Sequence, residues 1–446
     1  MSIRSDIGKT LRYAGRNGVI DTYYAARERI KEKVADLKVS EDTVSEDELA
    51  RQRRISARLS AGETPEAVFG VSTALREAPL ISLLVPAYET PEPFLLALMM
   101  SVFSQTYGNW ELVIADASLS DRVSELANRF DDSRIVYRRL ASNGGISANT
   151  NEAAVIARGD YVAFLDHDDI LTPDAVFEIA KRIMITGCEI VYSDEDKCDE
   201  TGKRFFERNI KPDFNLDYLL ANNYICHFLA MRRGLFLALK LRSEFDGAQD
   251  YDLLLRAPKS SIEHVPRILY HWRVHSGSTA GDPQSKDYAV EAGKRALESY
   301  FSDAGVSAVV SHSRHRGFYR IDYEPDLFGA RADVGVIGGK VLNRHHRIIG
   351  GAYDEEGKLL FAGLHERESG PSHRADTRQD VSAVDVRCMK IRPELEYVYE
   401  EVFHCPYSGH VMLGSEDYRE LSIEFCRRAA QIGYLVVFEP AMTRVV

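Results

Sequence analysis

The sequence predicts an α/β protein whose central sheet is mainly parallel and covered by helices on both faces. From residue 78 onward, short apolar segments rich in β-forming residues alternate with segments of helical periodicity. Three predicted strands also run into acidic residues, at Asp116, Asp166 and Asp194. Because the carboxyl ends of parallel strands meet at one edge of a sheet, ligands of such proteins bind there. We therefore expect a ligand site at that edge.

The amino-acid composition excludes several classes of protein. The chain has 446 residues, 45% of them hydrophobic, and a formal net charge of -12. That length allows two domains, and the acidic balance is unlike the basic surface of a nucleic-acid-binding protein. Six cysteines without a C-x-x-C pair predict reduced thiols rather than a disulfide framework or zinc site. With no apolar run typical of a signal peptide or a spanning helix, we expect a cytoplasmic location.

An N-terminal segment, residues 1–77, is predicted to be helical. The stretch "DTYYAARERIKEKVADL" places apolar residues at rough helical spacing among charges. Up to Lys33 there are eight basic and four acidic residues, a local charge of +4. Two interpretations stay open: a helix that faces solvent or a protein partner, and one that lies on the anionic inner face of the cell membrane as a peripheral contact.

The predicted elements of the sheet begin at residue 78. The apolar run "LISLLVP" predicts a buried strand ended by Pro86, and "WELVIADAS" predicts a second strand that closes on Asp116. A helix-spaced segment at residues 94–103 lies between them. Another helix, around residues 121–130, precedes a third strand, "RIVYRRL".

The same alternation continues beyond the third strand. "SNGGISANTNEAAVIA" predicts a glycine turn entering a helix capped by Ser147, and "DYVAFLD" predicts the next strand. "TPDAVFEIAKRI" predicts a helix with Thr172 as its cap and Pro173 at the first helical position. "CEIVYSDEDK" predicts one more strand ending in acid. Repeated strand–helix units of this kind are typical of a parallel sheet.

The stretch "YVAFLDHDD" is the strongest candidate for a metal site. Asp166 and Asp168 are two residues apart, so at a strand end they point the same way. Carboxylate oxygens suit Mg²⁺ or Mn²⁺, and a pair of them leaves coordination positions for water and a substrate phosphate. Taken alone, the stretch also fits a solvated acidic turn. The neighbouring acidic strand ends favour the metal site, with Asp169 supporting the turn.

Seven short motifs, in order, resemble those of a known enzyme family. They are "VPAYET", "VIADAS", "NGGISANTNEA", "ARGDYVAFLDHDD", "YSDEDK", "GAQDYDLLLR" and "HWRVHSGST". The run, over about residues 78–300, resembles family 2 glycosyltransferases of the GT-A fold, in the bacterial branch of rhamnosyltransferases and O-antigen enzymes. The resemblance implies a GT-A nucleotide-sugar-binding domain at residues 78–305.

For the nucleotide base, the resemblance implies a pocket formed by the first two strands and their loops. Pro86, Tyr88 and Glu89 would line the pocket. Asp116 would accept a hydrogen bond from a uracil or thymine ring. The acid that usually precedes Asp116 is replaced by Ala115, a departure from the family pattern within this pocket.

For the sugar diphosphate, the resemblance implies that Asn143, Gly144 and Gly145 form a turn over the ribose and phosphates. Asp194 is a further candidate contact for the donor, and Arg273 for its diphosphate. The arginine that often follows this turn is Thr150 here, which removes one phosphate contact.

The chemical step is predicted to use a divalent ion, Mn²⁺ or Mg²⁺, and one base. The resemblance assigns the ion to Asp166, Asp168 and His275, and the base to Asp250. An acceptor hydroxyl has a pKa far above 7, so a carboxylate must take its proton during attack. Asp250 opens a helix, whose N-terminus favours the ionised carboxylate; Asp252 is expected to serve only the helix dipole. An ion and a base on opposite sides of the anomeric carbon suit inversion.

The predicted function is metal-dependent, inverting transfer of a sugar from a UDP- or dTDP-linked donor to a glycan or lipid-linked acceptor in bacterial surface polysaccharide synthesis. A metal-dependent phosphatase or nucleotidyltransferase is the second class. The phosphatase motif D-x-D-x-[TV] is broken by Ile170. The third alternative is a non-catalytic glycan-binding or scaffold protein derived from a glycosyltransferase, and the retained D-x-D motif and base count against it.

The last third of the chain, residues 306–446, is predicted to be a degenerate second domain. Its strands, basic pair, helices and acidic pair follow the order seen in the later half of residues 78–305. It lacks counterparts of "VPAYE" and of the D-x-D motif. We therefore expect a non-catalytic region for packing, acceptor binding or assembly.

Overall fold

A computed structural model of the chain describes residues 3–36, 44–275, 283–407 and 417–446. The chain divides into two compact units. The central unit comprises Lys38–Phe214 and Asn223–Tyr300, and the terminal unit comprises Met1–Leu37, Asn215–Asn222 and Phe301–Val446. A short internal segment thus belongs to the terminal unit although both of its flanks belong to the central unit. The functional boundaries at residues 77 and 305 stay a prediction.

Helices and strands alternate through the described ranges. The helices are α1 (Ile3–Asp36), α2 (Glu46–Ser60), α3 (Pro65–Phe69), α4 (Glu92–Phe103), α5 (Arg122–Ala127), α6 (Ile146–Ile156), α7 (Ala175–Thr186), α8 (Leu216–Ala221), α9 (Arg233–Leu239), α10 (Gln249–Arg256), α11 (Pro283–Asp303), α12 (Leu327–Ala330), α13 (Glu396–Phe403) and α14 (Asp417–Gln431). The strands are β1 (Ile81–Ala87), β2 (Trp110–Asp116), β3 (Ile135–Arg139), β4 (Tyr161–Phe164), β5 (Ile170–Leu171), β6 (Ile190–Cys198), β7 (Phe205–Asn209), β8 (Leu229–Arg232), β9 (Ile262–Arg273), β10 (Ala308–His312), β11 (Tyr319–Tyr323), β12 (Val334–Leu342), β13 (Ile348–Gly350), β14 (Ala352–Tyr353), β15 (Gln379–Asp380), β16 (Ala383–Val384), β17 (Met389–Ile391) and β18 (Leu435–Val445).

The central unit is built on one large sheet, which within the described residues runs β3-β2-β1-β4-β8-β6-β9-β5, with β7 paired to β6. Pairing is parallel from β3 through β4. β8 is antiparallel to both β4 and β6, while β6 and β9 are parallel. The predicted α/β class is confirmed, with a mixed second half of the sheet.

The apolar strands are buried because helices cover the sheet. Every residue of β2 is buried, and Pro86 is the one partly exposed residue of β1. Such strands read as continuous apolar runs rather than alternating ones. Side chains of α4 and α7 join those of β1 and β2 in one hydrophobic core, which includes Leu83, Leu98 and Ile179.

Strand register brings the three acidic positions to one level of the sheet. β1 pairs in register with β2 and β4, and β8 pairs with both β4 and β6. Counted along these registers, Asp116, Asp166 and Asp194 lie at nearly the same height. Asp194, however, lies inside β6 rather than at its end. The prediction of a strand that ends there is wrong, because β6 continues to pair with β7 and β9 beyond it.

Two predicted helix caps are also wrong. The N-cap of α6 is Gly145, and the Ser147 hydroxyl instead donates to Asp246. The N-cap of α7 is Asp174, so Pro173 precedes the helix, and Thr172 Oγ1 donates to Asp174 Oδ1 at 2.7 Å. In both cases the hydroxyl binds a neighbouring carboxylate instead of the helix backbone. Local sequence cannot distinguish these two partners.

The terminal unit has its own sheet and its own core. Its main sheet runs β13-β12-β18-β15, with β17 paired to β12, and β12 and β18 are parallel. Side chains of α13 and α14 pack against this sheet around Tyr399, Phe403 and Phe425. The segment containing α8 joins the unit through Asn215, whose Nδ2 donates to Asp380 O at 2.7 Å. The predicted helical N-terminus is confirmed by α1–α3.

No helix in the described part of the chain is both long enough and apolar enough to cross a bilayer. The predicted N-terminal helix is α1, which changes direction at Gly18, where φ is +81°. Its contact with a protein partner or with a membrane surface stays a prediction.

Candidate active site

The acidic turn that follows β4 directs its three carboxylates to different surroundings. The Asp166 side chain is 40% exposed, and its Oδ2 lies 3.7 Å from His227 Nε2. Asp168 Oδ2 lies 2.8 Å from His275 Nε2. Asp169 is fully buried and accepts hydrogen bonds from the Tyr270 hydroxyl at 2.5 Å and from a backbone N–H at 2.7 Å. Asp169 therefore supports the turn, while Asp166 and Asp168 remain at its surface.

The burial of Asp169 has an electrostatic consequence. Burial, reinforced by the neighbouring charges of Asp168 and Asp166, raises the pKa of Asp169 well above its usual value. Tyr270 shares this environment, and burial beside Asp169 likewise raises the pKa of its hydroxyl. The hydroxyl is therefore a neutral donor that fixes the base of the turn.

His227 joins the turn, and the sequence analysis missed it. Its Nδ1 lies 3.1 Å from Glu195 Oε2, and its ring stacks on Tyr270 with centroids 4.6 Å apart. Burial would lower the pKa of His227, but hydrogen bonds to Asp166 and Glu195 raise it well above the usual value. The His227 ring therefore lies between two carboxylates that favour its protonated form. A lone histidine in the apolar stretch "YICHFLAM" was the signal that should have drawn attention to this position.

Beneath His227, a buried cation holds the network together. The Lys211 side chain is fully buried, and its Nζ lies 3.4 Å from Glu195 Oε2. It donates to the carbonyls of Ser193 at 2.8 Å and Ile225 at 2.6 Å, and also to that of His227. Burial would raise the pKa of Glu195, but the Lys211 ammonium and His227 lower it to about 2. Lys211 thus fixes both Glu195 and the backbone that carries His227.

Replacing Lys211 by methionine is expected to destabilise the central unit by about 3–5 kcal/mol, because it leaves the Glu195 charge buried without its cation. The midpoint of urea unfolding, followed by circular dichroism, measures the effect. Lys203→Met, at an exposed position, is the matched control and should leave the midpoint in place. Equal midpoints for the two variants would show that Lys211 contributes no net stability.

The turn also contains donor atoms of the kind that a divalent cation takes. Among the described residues, ligand atoms of Asp166, Asp169 and His227 all lie within 4.8 Å of one another. Two of these three residues also have protein partners: His227 Nδ1 lies 3.1 Å from Glu195 Oε2, and Asp169 Oδ2 accepts from the Tyr270 hydroxyl at 2.5 Å. The predicted set of Asp166, Asp168 and His275 is not gathered within that distance, although Asp168 and His275 are in contact. Its two carboxylates are oxygen donors of the kind that Mn²⁺ or Mg²⁺ takes, and this metal set stays a prediction.

The residues predicted to line the base pocket lie around the loop after β2. Tyr88 is 44% exposed and available to a ligand. The Glu89 carboxylate accepts from the N–H groups of Leu119 at 2.7 Å and Ser120 at 2.9 Å. Hydrogen bonds from Ser120, side chain and backbone, and from Leu119 lower the pKa of Glu89. Glu89 therefore shapes the loop, and its direct contact with a base stays a prediction, as does that of Pro86.

Asp116 is more deeply placed than its predicted role requires. It is fully buried, with Oδ1 accepting from Ser118 N at 2.9 Å and Oδ2 from the Tyr137 hydroxyl at 2.7 Å. Arg139 Nε lies 3.3 Å from Oδ2. An ionised carboxylate has further lone pairs, but here the protein's own donors bind both oxygens. A hydrogen bond from a nucleotide base to Asp116 stays a prediction.

The glycine turn before α6 is held by side chains within it. Asn143 Oδ1 accepts from Gly145 N at 3.0 Å and from Asn149 Nδ2 at 2.9 Å. Gly145 has φ of +88°, and a Cβ there would lie 2.6 Å from Asp246 Oδ2, so no other residue fits. Gly144 N donates to Asn149 Oδ1 at 3.2 Å. The exposed turn leads directly into the N-terminus of an 11-residue helix, a location that favours phosphate.

Asp250 is the second residue of α10 and is partly exposed. Its Oδ2 accepts from Asn223 Nδ2 at 2.9 Å. Asp252, by contrast, is buried and binds Arg242 and Arg256. The two acids of this helix therefore differ: Asp250 is partly exposed, and Asp252 is part of a buried ion cluster. The role of Asp250 as a base stays a prediction.

Asp194 and Arg273 are enclosed by protein. Asp194 is 2% exposed and accepts from Lys211 N at 2.9 Å, with His264 Nε2 3.0 Å away. Arg273 is 1% exposed, and its guanidinium donates to the carbonyls of Asp168 at 2.5 Å and Glu200 at 2.8 Å. Both residues support the site from within. Residues 276–279 of the motif "HWRVHSGST" lie outside the described residues.

Comparison with known proteins places the acidic turn, the glycine turn and the loop after β2 in one family. The model described as glycosyl transferase family 2 matches residues 82–239. These residues belong to glycosyl transferase family 2. The predicted family is thereby confirmed, and the family 2 region contains Asp166, Asp168 and the His227 network. Asp250 and His275 lie beyond its matched end.

Two curated relatives overlap the family 2 region. The "Uncharacterized protein y4gI" of Sinorhizobium fredii is 41% identical over 240 residues, which are 51% of this chain and 26% of that protein. The "O-antigen biosynthesis protein RfbC" of Myxococcus xanthus is 38% identical over 270 residues, 58% of this chain and 20% of that protein. The chain thus spans about a quarter or less of these relatives.

Solved structures similar to about half of this chain show weak overall agreement. S. aureus TarS 1-349 in complex with UDP has a TM-score of 0.38 at 18% identity, covering 50% of this chain and 72% of that one. The mannosyltransferase PcManGT from Pyrobaculum calidifontis, in complex with GDP-Man and Mn²⁺, has a TM-score of 0.39 at 15% identity. The match covers 57% of this chain and 75% of that one.

Proposed function

We propose that the central unit transfers a sugar from a nucleotide-diphosphate donor to a glycan or lipid-linked acceptor in bacterial surface polysaccharide synthesis. The match of residues 82–239 to the family 2 model supports glycosyl transfer, and the name of the RfbC relative, an O-antigen biosynthesis protein, supports the polysaccharide context. We further propose a UDP- or dTDP-linked donor and an inverting reaction. A rhamnosyl group is one candidate for the transferred sugar.

One observation carries this proposal: the short segment from Asn223 to His227 contacts both the proposed base and the acidic turn. Asn223 Nδ2 donates to Asp250 Oδ2 at 2.9 Å, and His227 Nε2 lies 3.7 Å from Asp166 Oδ2. Asp250 belongs to α10 and Asp166 to the turn after β4, so two distant parts of the sequence place carboxylates at the two ends of one segment. A transferase needs this arrangement, because the donor and the acceptor must meet between its acid groups.

In the proposed reaction, Asp166, Asp168 and His275 hold a divalent cation, Mn²⁺ or Mg²⁺. When bound, the cation would neutralise charge on the diphosphate leaving group. The turn at Asn143–Gly145 binds phosphate oxygens at the N-terminus of α6, and Tyr88 offers its exposed ring to the base.

Asp250 accepts the proton of the acceptor hydroxyl as that oxygen attacks the anomeric carbon. The Asn223 amide, which donates to Asp250 Oδ2 at 2.9 Å, orients the carboxylate and leaves Oδ1 for the acceptor. The N-terminus of α10 favours the ionised form. Attack from the side opposite the diphosphate inverts the anomeric configuration.

A thermal-shift panel of nucleotide sugars tests the donor proposal. UDP- and dTDP-sugars with Mn²⁺ or Mg²⁺ should raise the unfolding temperature, because a ligand at 100 times its Kd stabilises the folded state by about 2.7 kcal/mol. The same panel with EDTA is the control for the cation. No shift with any nucleotide sugar would contradict the proposal, and binding without turnover towards any glycan acceptor would favour the non-catalytic alternative.

A further inference from the structure

The terminal unit contains a cavity of about 290 Å³ that plays no part in the proposed reaction. Its wall is formed by α8, the turn between β10 and β11, β11 itself, the segment before β15, and the bend in β18 around Pro440. Small-molecule sites in proteins range from about 300 to 1,000 Å³. This cavity therefore suits a compact ligand rather than a nucleotide sugar.

The charged groups of the wall are held in place by one another. Asp376 Oδ2 accepts from Arg314 Nε at 2.7 Å and contacts His315 Nε2 at 2.9 Å. Arg378 Nε donates to Glu439 Oε2 at 2.8 Å. Each guanidinium is thus paired with a carboxylate. The wall is rigid and rich in hydrogen-bonding groups, yet it presents no uncompensated cluster of charge to a ligand.

Aromatic rings supply the rest of the lining. Phe318, Tyr319 and Tyr323 all face the cavity, and the Arg378 guanidinium lies 5.4 Å from the centre of the Tyr323 ring. The Tyr323 hydroxyl is buried, and the Arg331 side chain is the donor that acts on it. Burial raises the pKa of that hydroxyl to about 12, so it is a neutral group that can both donate and accept.

We propose that this cavity binds a neutral saccharide unit. The C–H face of a sugar ring packs on flat aromatic surfaces, while its vicinal hydroxyls pair with fixed carboxylates and guanidinium groups. A purely apolar ligand would make no hydrogen bonds to the polar groups of the wall. A phosphate or carboxylate would meet guanidinium groups that are already neutralised. The inference rests on the lining alone; under the proposed function, the occupant would be a sugar of the acceptor chain or of the product.

Ligand-observed saturation-transfer NMR on the full chain tests the inference. The probes are methyl glycosides of rhamnose, mannose, glucose and galactose, with inorganic phosphate as the charged comparator. At least one glycoside should give a transfer signal that survives saturating UDP and Mn²⁺ and the Asp250→Asn substitution. UDP fills the donor site and Asp250→Asn removes the base, but neither blocks an acceptor sugar, so the cavity variants below decide where the signal arises. Failure of the proposed transferase leaves this test intact.

Substitution within the cavity identifies the site. Ala441 is exposed and lines the cavity, so Ala441→Trp should fill it and reduce the glycoside signal at least tenfold. Thr443→Trp adds the same side chain at another exposed position of β18 outside the lining and should retain the signal. If Ala441→Trp does not fold, Arg320→Ala removes a lining side chain at an exposed position and should weaken binding. Asp322→Ala, which removes the partner of Arg320, is its control.

Three outcomes would overturn the inference. One is a glycoside signal that no variant of the lining changes while the variants remain folded by circular dichroism. Another is the absence of a signal from every glycoside with the wild-type chain. The third is phosphate binding that Ala441→Trp abolishes while no glycoside binds, which would assign the cavity to anions.

Discussion

Replacing Asp168 by alanine should abolish both sugar transfer and cation-dependent donor binding. The Asp168 carboxylate lies at the surface of the acidic turn, 2.8 Å from His275, and with Asp166 it supplies the two carboxylates proposed to hold the ion. A single carboxylate with an imidazole is too few ligands to hold a divalent ion against water. Transfer to a glycan acceptor is followed by chromatography, and binding of UDP with Mn²⁺ by calorimetry.

The control for this substitution is Asp131→Ala. Asp131 is an exposed acid in the loop between α5 and β3, so its removal changes the net charge equally without touching the turn. It should leave both transfer and binding unchanged. Unchanged turnover in Asp168→Ala would contradict the metal role. Loss of transfer with normal, Mn²⁺-dependent UDP binding would instead assign Asp168 to the chemical step.

Asp250→Asn is expected to lower turnover by about 10²- to 10⁴-fold, the usual contribution of a general base, while nucleotide affinity stays the same. The amide has nearly the shape of the carboxylate but cannot take a proton. Because Asp250 is proposed to contact the acceptor and not the nucleotide, UDP binding measured by calorimetry should be preserved. Steady-state rates with a saturating donor measure the loss.

Asp131→Asn is the matched isosteric control and should behave like the wild type in both assays. If Asp250→Asn retains wild-type turnover, Asp250 is only an acid at the start of a helix. If UDP affinity falls together with turnover, Asp250 belongs to the donor site. A parallel loss in Asn223→Ala, without a change in UDP affinity, would support the orienting contact between Asn223 and Asp250.

Strands could be predicted from the sequence where nearly all of their residues are buried. β1 and β2 are apolar except for Ser82, Glu111 and Asp116, because helices cover the sheet, and their ends fall within a residue of the predicted ones. The position of β8 in the sheet could not be predicted from the sequence. A strand of four residues inserted antiparallel between β4 and β6 depends on partners distant in the sequence, and no local pattern encodes that choice.

The candidate site shows a similar limit. The family motifs located the acidic turn, because its residues are consecutive in the sequence. They did not locate His227 or Lys211, which reach the turn from later segments and have neighbours of apolar character. The sequence also gives the type of each residue but not how far its side chain is exposed to solvent. Asp194 and Arg273 were predicted to touch the donor, yet both are almost completely enclosed.

The segment at Asn215–Asn222 has a consequence for biosynthesis. It leaves the central unit after Phe214 and returns at Asn223, and its helix α8 is stabilised by β11 and β15, which are translated much later. During synthesis, the apolar side chains of Tyr218, Leu219 and Leu220 emerge before the residues that will bury them. The terminal unit therefore cannot complete its fold until β11 and β15 have been synthesised. Because each unit is made of segments separated in the sequence, no single proteolytic cut releases either unit intact.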